Sequence, residues 1–166
     1  MSNAQKIALL GAGHMGGALL AGWLRRKSTG IKPENVIVLD PSPSDEVQAL
    51  IEEHGLEHAA SMTLAMSTQV STLLVAIKPQ ILDKVAPALA PVLAPETAVI
   101  SIMAGTTIKR LEALFGDRPI VRAMPNTPAA VGAGISVCVS NLAGEAIEKS
   151  ATKLLSVAGE VEWVRD

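Results

Sequence analysis

Three glycines, Gly11, Gly13 and Gly16 in "LLGAGHMGG", stand at the Gly-x-Gly-x-x-Gly spacing that can seat a diphosphate. In such a turn the first glycine permits a tight bend and the second lets the backbone approach the pyrophosphate. The third lets helix and strand pack closely, and unpaired N–H groups at the helix start meet the phosphates. The same spacing also serves a purely structural turn. Asp40 closes the second apolar run, where a carboxylate can accept both ribose hydroxyls of an adenosine and repel a 2′-phosphate, favouring NAD. Ser42 and Ser44, or Arg25, Arg26 and Lys27, offer the opposite preference, so the cofactor is NADP or NAD. Asp40 also has a plainer reading, turning its loop or capping the helix that begins at Asp45.

Lys78 precedes Pro79, which holds it extended at a strand end. It faces phosphates or donates a proton, or is simply a solvated lysine. In "RAMPNTPAAVGAGISV", Pro125 and Pro128 stiffen a loop that presents Asn126 and Thr127. Ala129, Ala130, Gly132, Ala133 and Gly134 then leave room for a flat ring, as a nicotinamide pocket requires. A small-residue connection between strands is the alternative. His14 lies inside the glycine turn, where its backbone counts more than its ring, and His54 and His58 flank Gly55 as a solvated helix end. No cluster has metal-ligand spacing. The chain has no tyrosine, which removes a tyrosine proton donor, and no catalytic residue is identified.

These loops need elements to hold them. Ile7–Leu10 reads as a strand and the residues after the glycines as a helix, ended by Ser28-Thr29-Gly30. Strand 36–39, helix 45–54, a weak strand near 56–59 and a short helix at 63–67 follow. Strand 72–77, helix 81–93, strand 98–103, helix 108–115 and strand 120–124 come next. A strand at 135–139, a helix near 145–158 and a strand at 161–164 complete the chain. Such alternation predicts one α/β domain over residues 1–166: a doubly wound, mostly parallel sheet with helices on both faces. Ligands then bind outside the carboxyl ends of the strands, where all the loops above gather.

Composition excludes other classes. Hydrophobic residues make up 49% of the 166 and charged residues 18%, which suits a packed core rather than disorder. Net charge is −2 with three aromatic residues (Phe115, Trp23, Trp163), so a nucleic-acid partner is not expected. No apolar run spans a bilayer and no secretory signal is visible. The single Cys138 excludes an internal disulfide, and a cytoplasmic location is expected.

The segments "IALLGAGHMGGALLAGW", "LLVAIKPQ", "ISIMAGTTI" and above all "VRAMPNTPAAVGAGISV" resemble pyrroline-5-carboxylate reductase over essentially the whole chain. The resemblance implies a Rossmann-like domain for NADP or NAD, delivering hydride to the ring imine of 1-pyrroline-5-carboxylate to give L-proline. The substrate class is thus a cyclic imino acid. Residue by residue it places Leu10, Gly11, Ala12, Gly13, His14, Met15 and Gly16 at the pyrophosphate, and Asp40, Pro41 and Ser42 at the adenosine ribose. Ala76, Ile77, Lys78 and Pro79 with Met103, Ala104 and Gly105 line the cofactor, and Asn126 lies near the nicotinamide. Met62 stands where the family commonly has asparagine, and Val70 where it commonly has aspartate. Family members continue with a helical domain that dimerises and completes the substrate pocket. These 166 residues reach about where it begins, so they are expected to bind nucleotide but reduce the imine poorly, with the longer protein a homo-oligomer. Another NADP-dependent hydride-transfer enzyme of similar fold, or a nucleotide-sensing module, are the alternatives.

Overall fold

A computed structural model describes residues 5–165. Eight strands alternate with six helices in it: β1 (Lys6–Leu10), α1 (His14–Arg25), β2 (Val36–Leu39), α2 (Asp45–His54), β3 (Glu57–Ala59), α3 (Leu64–Ser67) and β4 (Val70–Val75). They continue with α4 (Pro79–Leu89), β5 (Ala98–Ser101), α5 (Ile108–Phe115), β6 (Ile120–Pro125), β7 (Gly134–Ser140), α6 (Glu148–Leu155) and β8 (Gly159–Trp163). One sheet holds every strand in the order β3-β2-β1-β4-β5-β6-β7-β8. Pairing is parallel from β3 through β6, as expected.

The sheet then reverses: β7 runs antiparallel to β6, with Ala123 opposite Cys138, and β8 follows β7 in parallel. Residues 126–133 are too few to carry the crossover that a parallel neighbour needs. Strands β2 and β5 are buried on both faces, which accounts for the apolar runs Val36–Leu39 and Ala98–Ile100. One face packs against α1, α2 and α6 through Leu19, Trp23, Val47, Ile51 and Leu154. The other packs against α4 and α5 through Leu82, Ala86, Leu111 and Phe115.

Element ends follow local chemistry. Ser44, Thr63 and Thr107 cap α2, α3 and α5 by accepting from Val47, Met66 and Arg110 N–H. Gly55, in the left-handed region at φ 62°, ends α2. Strand β5 stops at Ser101 rather than 103 because the Ser101 hydroxyl accepts from Met103 N–H at 3.2 Å and turns the chain. The expected helix at 145–158 is α only over 148–155, with 3-10 turns before and after. Buried Arg118 donates to Phe115 O and Ala94 O, and burial lowers its pKa. Trp23 is buried and donates its Nε1–H to Leu154 O at 2.8 Å, while Trp163 donates to Thr152 Oγ1 at 2.9 Å.

Cys138 lies fully buried between the β6–β8 strands and the α6 face, and burial, with Glu148 nearby, pushes its thiol up to about 12. Folded chain should therefore resist alkylation by iodoacetamide at neutral pH and react only on unfolding, because the thiolate is the reactive form. The folded pKa lies above the unfolded value of 9.0, so this group's stabilising contribution is present below pH 9 and is lost as pH rises towards 12. Rapid labelling of native chain at pH 7 would contradict this.

Candidate functional site

Because β1, β2, β4, β5 and β6 are parallel, their carboxyl ends share one edge: Leu10 lies beside Leu39 and Val75, and Val75 beside Ser101. The glycine turn, residues 40–44, 76–79, 103–105 and the start of the loop after β6 therefore line one rim, as the alternation predicts.

The three glycines differ physically. Gly11 has φ +87°, and a Cβ there would lie 2.7 Å from Ile77 Cγ2 and 2.8 Å from Ala76 O. It is glycine because the turn presses against the end of β4. Gly16 faces the Gly11 carbonyl, which an added Cβ would overlap, so it lets α1 start directly under the turn. Gly13 has an ordinary φ of −71°, and nothing lies within 4 Å of the place a Cβ would take: its space is open.

Helix α1 starts at that opening. Gly17 N–H to Gly13 O, at 2.7 Å, is its first hydrogen bond, so the N–H groups of Gly13, His14, Met15 and Gly16 have no helix carbonyl to meet. No side chain caps them, unlike in α2 and α5, and no acidic residue lies in the first turn, unlike in α2. The helix dipole places partial positive charge at the same point. Gly13 and His14 are exposed while Leu10, Gly11 and Ala12 are buried, so the last three shape the turn and the first two present it.

Asp40 is half-buried and bonded through every polar group it has. Oδ2 accepts from Ala12 N–H at 2.9 Å and Oδ1 from Ser42 N–H at 2.8 Å. Its own N–H donates to Ala59 O at 3.0 Å, and its carbonyl contacts His58 Nε2 at 2.8 Å. The plainer reading of Asp40 as a residue that turns its loop is thus realised through Ser42. His58, read from the sequence as part of a solvated helix end, instead sits in β3 against this residue. No local pattern marks it, because the contact exists only once β3 pairs with β2.

The remaining rim is mixed. Lys78 and Pro79 are exposed at the start of α4, and Ile77 packs beneath Gly11. Ala104 and Gly105 are exposed, but the Met103 side chain is buried in the α4–α5 core, leaving only its backbone near the rim. Met62 packs against that same core. Asn126 is exposed, with Oδ1 accepting from Ile135 N–H at 2.9 Å.

The small residues after Asn126 have a packing reason that their spacing along the chain does not reveal. Ala129 is buried, and the turn Thr127–Val131 lies against α1, sharing a groove with Ala18, Gly22 and Val157. A Cβ on Gly134 would come within 2.5 Å of Ala129 and Asn126, and one on Gly159 would overlap the Gly134 carbonyl. Smallness here closes β7 onto β8 and seats the loop on α1. Among the described residues there is no group of three or more His, Cys, Asp or Glu able to hold a metal, and no helix long and apolar enough to cross a membrane.

Residues 6–105 match the family model described as NADP oxidoreductase, coenzyme F420-dependent. The chain is 38% identical over 138 residues to pyrroline-5-carboxylate reductase of Escherichia coli K12, covering 82% of this chain and 50% of that protein. It spans about half the length of the curated relatives it matches. A solved pyrroline-5-carboxylate reductase from Coxiella burnetii superposes with TM-score 0.85 at 26% identity, covering 98% of this chain and 60% of the other. The Plasmodium falciparum enzyme, solved with NADP bound, superposes with TM-score 0.78 at 27% identity, covering 97% and 58%.

Proposed function

The chain belongs to the family described as NADP oxidoreductase, coenzyme F420-dependent, and we propose that it is the dinucleotide-binding part of a pyrroline-5-carboxylate reductase. The observation that carries this reading is the open space at Gly13 beside four unpaired helix N–H groups, with no acidic residue in the first turn of α1. That arrangement suits an anion such as a diphosphate. The name shared by relatives across the whole chain, and the NADP in the Plasmodium structure, support NADP or NAD as ligand and a cyclic imine as substrate.

Gly13, His14, Met15 and Gly16 hold the diphosphate by backbone N–H groups, with the adenosine end towards residues 40–42 and the nicotinamide end towards Asn126. Bound there, the dinucleotide supplies the hydride that reduces the substrate's C=N bond, and the protonated nitrogen retains its proton as an amine. The chain's own task is orientation, which can supply several kcal/mol of a barrier of this kind. We further propose that the longer protein carries the rest of the substrate pocket and is a homo-oligomer.

The test is direct. NADPH or NADH added at 100 times its Kd should stabilise the chain by about 2.7 kcal/mol in a thermal melt. Turnover of 1-pyrroline-5-carboxylate, followed by loss of reduced-nicotinamide absorbance, should be weak for these 166 residues. A melt untouched by both nucleotides overturns the reading. The family description favours a second candidate, an NADP reductase working with a deazaflavin, and reduction of that coenzyme but not of the imine would select it.

A further inference from the structure

We infer that Asp40 acts on the cofactor through the glycine turn, as a positioning residue, rather than by gripping the adenosine ribose. The inference rests on the dinucleotide reading above. Two consecutive amides of the turn are held by the end of β2: Gly11 N–H donates to Leu39 O at 2.9 Å, and Ala12 N–H to Asp40 Oδ2 at 2.9 Å. The next amide, Gly13, is the first of the unpaired set. The orientation of the phosphate-facing N–H groups is thus set by a carboxylate 28 residues away.

That carboxylate is itself immobilised. Oδ1 is taken by Ser42 N–H, Asp40 N–H is tied to β3 at Ala59 O, and its carbonyl is in contact with the His58 ring. Hydrogen bonds from N–H to an ionised acceptor are about twice as strong as neutral ones. Three neighbouring segments, the glycine turn, the loop after β2 and strand β3, converge on this one residue. Each carboxylate oxygen already holds a backbone amide, so the direction of its remaining lone pair is fixed by the turn and not by a ligand.

The two roles give opposite signatures. A ribose-gripping acid discriminates between the cofactors, since it welcomes a 2′-hydroxyl and repels a 2′-phosphate. A clamp on the turn touches only the diphosphate, which NADH and NADPH share. The experiment is titration of the 166-residue chain and its Asp40→Asn and Asp40→Ala variants with NADPH and with NADH. Amide exchange of Ala12 is measured by NMR on the nucleotide-free proteins. Both variants should weaken both dinucleotides at least fivefold while the ratio of the two affinities stays within threefold of the unaltered chain. Ala12 exchange should accelerate at least tenfold in Asp40→Ala. Asp40→Asn is isosteric and carries the test if the alanine variant fails to fold.

Loss confined to NADH, tighter NADPH binding, a larger change in the ratio, or a loss below fivefold overturns the positioning role while leaving the cofactor reading intact. An unaltered chain that binds neither nucleotide overturns the cofactor reading itself, and with it any role for Asp40 in binding.

Discussion

Replacing Gly13 with alanine should leave the chain folded and weaken NADPH or NADH at least 30-fold, about 2 kcal/mol, whereas replacing Gly11 should damage the fold itself. Gly13 has φ −71° and open space in the direction of a Cβ, so the substitution meets no neighbour. The cost to α1 of losing a glycine N-cap is about 1 kcal/mol or less. The methyl group would nevertheless occupy the place where a diphosphate must come into contact with the backbone. Gly11→Ala combines a left-handed φ, costing roughly 1–2 kcal/mol, with overlap against Ile77 and the Ala76 carbonyl. Paired thermal melts and calorimetric titrations separate the two. Equal nucleotide affinity in Gly13→Ala and unaltered chain would remove the main support for a diphosphate site at this turn.

The largest effect on stability should come from Trp23→Ala. Trp23 is 1% exposed, sits among Leu19, Leu20 and Leu154, and joins α1 to α6 through its bond to Leu154 O. Truncating a buried tryptophan costs about 3–5 kcal/mol, a large fraction of the roughly 5–15 kcal/mol that holds a typical domain together. Trp23→Phe keeps most of the contact and orphans the Leu154 carbonyl, so it should cost about 1–3 kcal/mol. Urea unfolding at unchanged slope reads both. A loss below about 1 kcal/mol for the alanine variant would show that α1 and α6 re-pack around the space.

Much of this was legible because local chemistry and topology agree. The uninterrupted apolar runs at 7–10, 36–39 and 98–100 are buried parallel strands, and the Gly11–Gly16 spacing falls where a strand becomes a helix. What escaped was set by tertiary contact. The alternating strand–helix pattern reads as a mostly parallel sheet without saying which strand reverses; the reversal at β7 follows from its short connection. His58 has meaning only through β3 pairing with β2, and the bond that Asp40 accepts from Ala12 N–H spans a separation that no local window contains. The run Ala129–Gly134 was legible as a place needing small residues, but their neighbours (α1, Val157 and Gly159) lie elsewhere in the chain.

Both indole N–H groups are spent on one helix, Trp23 on Leu154 and Trp163 on Thr152. With no tyrosine in the chain, indole emission excited beyond the absorption of Phe115 comes from this α6 seam alone. A fluorescence melt therefore watches α1, α6 and β8 come apart, and stays dark to fraying at the far β3 edge.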